Sequence, residues 1–285
     1  MKVIRSADEL KAQIKREALF PVGFVPTMGA LHEGHLSLVR IAAKECSLVV
    51  VSIYVNPAQF NNKDDLKNYP RSLEADLSML GKVLAKNDIV FTPDDKEIYP
   101  VEDKRVFNFG NLGNVMEGLY RQGHFNGVAQ VVSRLFEIAE PDLAFFGLKD
   151  LQQVAIIKEM VRQKGYKVRI VAAPIIREND GLAMSSRNRL LTQELRNKAP
   201  VIYNTLSVAA SMIQNCDIPE IKNYVVRTIE KTGGLSVEYF EIVDDKYLHP
   251  VNAKSEMKKR KSYFGCIAVW AGKIRLIDNI ELQLV

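Results

Sequence analysis

The run Leu48-Val49-Val50-Val51-Ser52-Ile53-Tyr54-Val55 is almost continuously apolar and β-branched, and it stops at Asn56-Pro57. A strand with one wet face alternates polar and apolar residues. A strand without that alternation is buried on both faces, the situation of a parallel sheet covered by helices on either side. Proline has no N–H to give the ladder and closes the strand. Parallel neighbours need crossovers, and the rest of the chain supplies them. Val22 to Val25 precedes the turn Pro26-Thr27-Met28-Gly29 and a helix carrying Leu36, Leu38, Val39 and Ile41. Leu73, Leu77, Leu80 and Leu84 mark a helix ahead of the strand Asp88-Ile89-Val90-Phe91, which ends at Thr92-Pro93. Val128 to Ala139 reads as helix, Pro141 to Gly147 as strand, Leu151 to Arg162 as helix and Val168 to Ala172 as strand. Upstream, Ser6-Ala7-Asp8-Glu9 has capping-box spacing, and Leu10, Ile14 and Ala18 extend a first helix to about Leu19, before Pro21. Phe107 to Gly127, rich in Gly and Asn, reads as loop with one short helix. The alternation predicts an α/β fold, a doubly wound parallel sheet with right-handed crossovers.

Beyond Pro174 the pattern changes. Helical segments near Thr192 to Gln214 and Pro219 to Lys231 precede strands near Val237 to Val243 and Gly265 to Leu276, the mark of a smaller C-terminal α+β unit. The 285 residues therefore divide into an expected Rossmann-like domain, 1–175, and a smaller domain, 176–285. With 47% apolar and 26% charged residues, each has material for a core and the chain is not of the disordered class. Cys46, Cys216 and Cys266 are odd in number, far apart and outside any CxxC pair, which argues against a disulfide framework or thiolate zinc site and for a reducing, cytoplasmic home. The charged, amphipathic N-terminal segment reads as neither signal peptide nor membrane span, so no membrane association is expected. Much of the local charge behind the net +5 sits in Lys258-Lys259-Arg260-Lys261, next to Lys254. Such a run suits a solvated loop. An RNA-binding module built on it is the reading from a different class, but the chain has no matching aromatic stacking motif or second basic helix, so no nucleic acid partner is expected.

In open parallel sheets ligands bind at the carboxyl ends of the strands. Four unusual segments all follow predicted strands there: Pro26 to His35, Asn56 to Phe60, Phe146 to Gln153 and Met184 to Arg187. His32 and His35, three apart at a helix start, place both imidazoles beside free backbone N–H groups and the positive end of the helix dipole, an anion-binding arrangement. Gly29 and Gly34 would let a phosphate chain approach the backbone. HEGH lacks the spacing of a zinc protease, and His124 and His249 lie in loop contexts, so no metal ligand set is assigned. Capping of the helix by either His32 or His35 is the structural alternative. Lys149 could meet the same phosphates, or be a surface lysine. Ser185, Ser186 and Arg187 combine hydroxyl donors with a guanidinium fork suited to polyphosphate, or form a solvated interdomain loop. Gln59 and Gln153 are neutral amides that would hold a carboxylate without blunting it as a nucleophile, or are exposed polar residues.

Taken in order, PTMGALHEGH, NPxQF, Tyr69-Pro70-Arg71, His124-Phe125 with Gly127-Val128, FGxKDxQQ, LAMSSRN and Arg275-Leu276-Ile277-Asp278-Asn279 resemble the pantothenate synthetases, or pantoate:β-alanine ligases, of the HIGH-signature nucleotidyltransferase superfamily. The resemblance implies an AMP-forming acid–amine ligase of pantothenate and coenzyme A biosynthesis. Pantoate attacks the α-phosphate of ATP to give pantoyl adenylate and pyrophosphate, then β-alanine displaces AMP. It also implies Mg2+ with the ATP, and a homodimer. By the same resemblance Met28, Gly29, Ala30, Leu31, His32, Glu33, Gly34 and His35 line the ATP site, with His35 as catalytic acid and His32 on phosphate. Gly147, Leu148, Lys149 and Asp150 hold ribose and phosphate, Lys149 acting in catalysis. Ile176 touches adenine, and Met184, Ser185, Ser186 and Arg187 stand for the KMSKS loop. Gln59 and Gln153 bind pantoate, Gln59 also near β-alanine. Asp76 is a candidate neighbour of magnesium. The sequence departs from the family pattern at Leu148, Asn126 and Ala183, and Asn126 leaves open whether its loop meets substrate. Closure of the domains around a hinge at Gly181 to Arg187 is expected to shield the adenylate from water. A plain HxGH nucleotidyltransferase acting on a phosphorylated substrate is the enzymatic alternative.

Overall fold

The computed structural model describes residues 1–61 and 63–283. Six strands, β1 (Lys2–Ile4), β2 (Val22–Thr27), β3 (Leu48–Ile53), β4 (Ile89–Phe91), β5 (Leu143–Gly147) and β6 (Arg169–Ala173), form one parallel sheet in the order β1-β4-β3-β2-β5-β6. Side chains alternate between its two faces as the pleat requires. Val22, Phe24, Leu48, Val50, Ile89, Phe91, Ala144 and Phe146 enter one core with helices Ala7–Glu17, His124–Ala139 and Leu151–Lys164. Val25, Val49, Val51, Val90, Leu143 and Phe145 enter the other with helix Glu33–Glu45 and Leu80 of helix Leu73–Leu80. Leu48, Val49, Val50 and Val51 are all at most 1% exposed, the reason this run carries no polar alternation. The sheet is doubly wound. The chain leaves β2 for β3 and later returns to β2's other side with β5, so the order reverses between β2 and β5.

A second, antiparallel sheet runs β7 (Leu235–Asp244), β8 (Ser262–Ala271) and β9 (Ile274–Gln283). One face packs Phe240, Ile242, Ile267 and Val269 on helices Val201–Met212 and Ile218–Lys231. The other turns Tyr239, Val243, Cys266 and Ala268 onto Leu112, Met116, Phe125, Leu151 and Ile156 of the first unit. No described helix is long and apolar enough to cross a membrane. All three cysteines are free.

Several local expectations are corrected. The three-residue edge strand β1 was not legible in the pattern. Ser6 occupies the N-cap position but its side chain makes no cap bond; the N–H of Ala7 instead donates to Glu97 Oε2 at 2.7 Å, and the helix ends at Glu17 with Ala18 left-handed. The helix expected from Val128 begins at His124. The stretch Gly265 to Leu276 spans two strands, because Gly272, at φ 58°, turns the chain between β8 and β9. The Lys258 to Lys261 run lies in an exposed turn.

Candidate active site

The cavity of interest, about 210 Å³, opens at the carboxyl ends of β2 and β5, where the strand order reverses. Its first wall is the turn after β2. Thr27 Oγ1 donates to the Ser52 carbonyl at 2.7 Å and accepts the Gly29 N–H at 3.2 Å, fastening the turn to β3. The N–H groups of Ala30 and Leu31 then donate to the two oxygens of Asp76, at 3.0 and 2.8 Å. Asp76 is 3% exposed, and its carboxylate shapes this loop. A Cβ on Gly29 would lie 2.8 Å from Asp76 Oδ2, and its φ is +77°; one on Gly34 would lie 2.8 Å from His32 Cε1. Both glycines therefore make room for the loop's own side chains, a nearer reason than the approach of a phosphate.

The histidines cap the helix and still face the cavity. His32 Nδ1 accepts the Gly34 N–H at 3.2 Å, and His35 Nδ1 accepts the His32 N–H at 3.3 Å, a reciprocal capping box made by two imidazoles. An accepting Nδ1 carries no proton, so in each neutral ring the hydrogen sits on Nε2 as a donor. Burial, then the charges of Lys149 and Arg189, press the His32 pKa down to about 4. Burial, then His32, Lys149 and Arg189, hold His35 well below its usual value. Capping and ligand contact are thus compatible, and the resting pair is two neutral N–H donors. Replacing Gly34 with alanine is expected to push the His32 ring off its cap bond, cutting turnover about 10- to 100-fold with little change in melting temperature, since alanine is the better helix former. Steady-state rates and a thermal melt check this.

The second wall is the turn after β5. Lys149 Nζ lies 3.4 Å from Asp150 Oδ1, and the carbonyls of Leu148 and Lys149 accept from Asn279 Nδ2 at 2.8 and 3.1 Å. Strand β9 of the second sheet therefore fixes the backbone that carries Lys149. Asp278 beside it pairs with Arg177 at 2.6 and 3.0 Å, and Arg177 also donates to the Gly181 carbonyl at 3.1 Å and stacks 3.7 Å above Tyr203. The segment leading to Met184 is held by the same strand.

Gln59 lies on the third wall, 9% exposed, with its side-chain amide on Met28 Sδ and its backbone carbonyl 2.7 Å from His124 Nδ1. His124 is thus no loop bystander but the first residue of a buried helix. Asn56 Nδ2 donates to the Gly127 carbonyl at 3.1 Å, and a Cβ on Gly127 would lie 2.3 Å from the Ala58 carbonyl, so this helix and the Gln59 turn meet backbone to backbone. Asn126 turns away, binding the backbone of Phe107 and Arg105. Gln153 lines the cavity from the first turn of helix Leu151–Lys164.

Met184, Ser185, Ser186 and Arg187 close the fourth side, with Ile176 nearby. Arg187 pairs with Asp65 at 2.8 Å and Ser186 donates to Tyr69 at 3.3 Å. Met28, His32, Gly34, His35, Gly147, Lys149, Asp150, Gln59 and Gln153 share this lining. Gly29, Ala30, Leu31, Glu33 and Leu148 do not: the first three shape the loop, and half-exposed Glu33 pairs outward with Arg40 at 2.9 Å. Arg189, Arg177 and Asp65 support the site without having been singled out from the sequence, and Asn279 was quoted there only within the Arg275 to Asn279 segment, with no role given to it. No group of three or more His, Cys, Asp or Glu among the described residues could hold a metal ion.

The family model for pantoate-beta-alanine ligase matches residues 2–281. The chain belongs to this family. The pantothenate synthetase of Bacteroides thetaiotaomicron is 47% identical over 285 residues, covering 99% of both chains, and that of Porphyromonas gingivalis strain W83 is 48% identical over 263 residues, 92% of each. Among solved structures, a pantothenate synthetase from Thermus thermophilus superposes with a TM-score of 0.91 at 39% identity, covering 99% of this chain and 100% of that one. Pantoate-beta-alanine ligase from Francisella tularensis, complexed with beta-gamma ATP and beta-alanine, matches with a TM-score of 0.79 at 34% identity over 98% and 97%. The pantoate-beta-alanine ligase fold thus extends over both sheets of the chain.

Proposed function

We infer that the chain joins pantoate to β-alanine with consumption of ATP, through pantoyl adenylate, with release of pyrophosphate and AMP. The observation that carries this reading is one cavity in which neutral Nε2–H donors, Lys149 and the Ser185 to Arg187 segment face two uncharged glutamines. Donors of this kind stabilise charge that develops at phosphorus without protonating the attacking carboxylate. In the first step a pantoate carboxylate oxygen, oriented by Gln59 and Gln153, forms a bond to the α-phosphorus while the bond to pyrophosphate breaks. His32, His35 and Lys149 hold the oxygens that gain charge, and Ser185, Ser186 and Arg187 hold the leaving pyrophosphate. In the second step the neutral amine attacks the acyl carbon, the acyl–phosphate C–O bond breaks, AMP leaves, and the proton on the newly bonded nitrogen passes to the departing AMP phosphate and so to solvent.

Ile176, Gly147, Lys149 and Asp150 line the same cavity, which supports the reading in which Ile176 meets adenine and the Gly147 to Asp150 turn meets ribose. Among the described residues no group of three or more His, Cys, Asp or Glu offers a protein cage for magnesium, and Asp76 commits its oxygens to backbone N–H groups; Mg2+ would enter with ATP and would supply charge neutralisation at its phosphates. Family membership supports a cytoplasmic homodimer, with pantoate, β-alanine and ATP as its small-molecule partners. Gly181 to Arg187 is the segment assigned to shielding the adenylate, since the second sheet is itself anchored by an apolar core.

Pantoate-dependent exchange of labelled pyrophosphate into ATP, with magnesium and without β-alanine, tests the reading. Exchange that requires pantoate is expected. Absence of exchange, together with no AMP release when β-alanine is added, would return the choice to a nucleotidyltransferase.

A further inference from the structure

We propose that Arg121 anchors the carboxylate of the amine substrate, making it the residue that selects β-alanine over amines that lack a carboxylate; this rests on the ligase reading above. Behind the main cavity lies a side cavity of about 40 Å³, lined by Arg121, His124 and Asn279 and by Lys149, Asp150 and Gln153, which also line the main one. A carboxylate is of the size this space can take. The charged groups around it are otherwise committed. Glu117 receives both arms of Arg275 at 2.7 Å and the Tyr239 hydroxyl at 2.8 Å, Asp278 holds Arg177, and Lys149 faces Asp150.

Arg121 reaches Glu117 through one nitrogen at 3.5 Å, its one side-chain bond among the described residues. Its side chain is nevertheless only 24% exposed. A guanidinium carries five donors, and taking it out of water with its fork unfilled is costly unless an anion completes it. Burial works against its charge, and Glu117 compensates only in part.

Chemistry places the missing anion here. The amine must reach the acyl carbon, while the carboxylate two methylenes away needs a cation that the phosphates do not claim. Arg187 is paired with Asp65, and Lys149 serves the nucleotide. Among the described residues lining the two cavities, Arg121 is the remaining arginine or lysine, and its planar fork matches a carboxylate in bidentate fashion. Its position is also fixed relative to Gln59: the His124 N–H donates to the Arg121 carbonyl at 3.1 Å, and the His124 ring holds the Gln59 carbonyl.

The test compares β-alanine with 3-aminopropanol, an amine of the same reach that carries a hydroxyl in place of the carboxylate, in wild type and in Arg121→Gln and Arg121→Lys. The readouts are kcat/KM for pantoate-dependent AMP release with each amine, and pyrophosphate exchange without amine. Arg121→Gln is expected to lose about 10- to 100-fold in kcat/KM for β-alanine, chiefly through KM, as loss of a charged hydrogen-bonded pair predicts. Its rate with 3-aminopropanol stays within about threefold, so discrimination collapses, and Arg121→Lys falls between. Equal losses with both amines, or undiminished discrimination in Arg121→Gln, would overturn the assignment. Exchange retained in the variants shows that the first half-reaction is intact; exchange and AMP release absent from the wild type would sink the ligase reading and this assignment with it.

Discussion

Substituting alanine for His35 is expected to lower pantoate-dependent pyrophosphate exchange about 10²- to 10³-fold, the usual cost of removing one donor aimed at developing charge. The fold should survive. His35 gives the helix one cap acceptor, the bond from the His32 N–H, and losing such a cap costs about 0.5–2 kcal/mol. The chemical role is the more informative question. With Nδ1 accepting and burial holding the ring's pKa well below 6.5, the resting imidazole has no proton to give as an acid, only an Nε2–H to donate. A donor can be replaced by another donor; a proton-transferring acid cannot. His35→Asn should therefore recover at least about tenfold of what His35→Ala loses. Near-normal exchange in the alanine variant would remove His35 from the chemistry, and an asparagine variant as slow as alanine would restore the acid. Imidazole resonances of His32 and His35 in the free protein should titrate below the ordinary 6.5, His32 near 4.

The features that sequence made visible are those set by local chemistry. Leu48 to Val51 announced a doubly covered strand because every side chain there is buried, and four segments following strands drew attention because β2, β3 and β5 end near the same place. The hidden features are set by distance along the chain. Asn279 supports Lys149 from 130 residues away, and nothing in Arg275-Leu276-Ile277-Asp278-Asn279 states which carbonyls its amide will meet. Arg177 finds Asp278 across 101 residues. That Gly29 and Gly34 also clear their own loop's side chains was hidden for a related reason: their close neighbours are Asp76, 46 residues after Ala30, and a histidine ring whose inward rotamer the sequence does not encode. Ser6 misled in the opposite direction, since a local capping signal was displaced by Glu97. Local pattern thus identifies which residues are unusual, while partner assignment belongs to the tertiary fold.

Arg275→Ala is expected to destabilise the protein by about 3–5 kcal/mol, the cost of stranding a buried charge. Glu117 and Arg275 have side chains 9% and 14% exposed, joined through two bonds of 2.7 Å, and Arg275 Nε also binds Glu238 at 2.9 Å while the Trp270 N–H holds Glu238 at 2.8 Å. Burial alone would raise the Glu117 pKa, but the hydrogen bonds and charge of Arg275 override it and bring it down to about 2 from 4.5. A lowered folded-state pKa gives stability that is complete above 4.5 and disappears as pH falls towards 2, and at neutral pH the shift corresponds to about 3 kcal/mol. In the variant the sign reverses: without Arg275, burial favours the neutral acid, so the Glu117 carboxylate destabilises the fold at neutral pH and its protonation relieves it. Urea unfolding should therefore show a wild-type advantage that is largest at neutral pH, begins to shrink above pH 4.5 as the variant's Glu117 takes up its proton, and goes on shrinking towards pH 2 as the wild type's does, whereas a difference constant with pH would mean that Arg275 acts through packing. The same pair joins strand β9 to the Glu117 turn, and its loss leaves the apolar contacts of Tyr239, Val243 and Ala268 with Leu112 and Met116 to hold the second sheet in place. Since β9 also carries Asn279, Arg275→Ala should slow pyrophosphate exchange under conditions where the protein remains folded, an effect that adding urea-protective osmolytes restores only if it arises from loosened docking of that sheet.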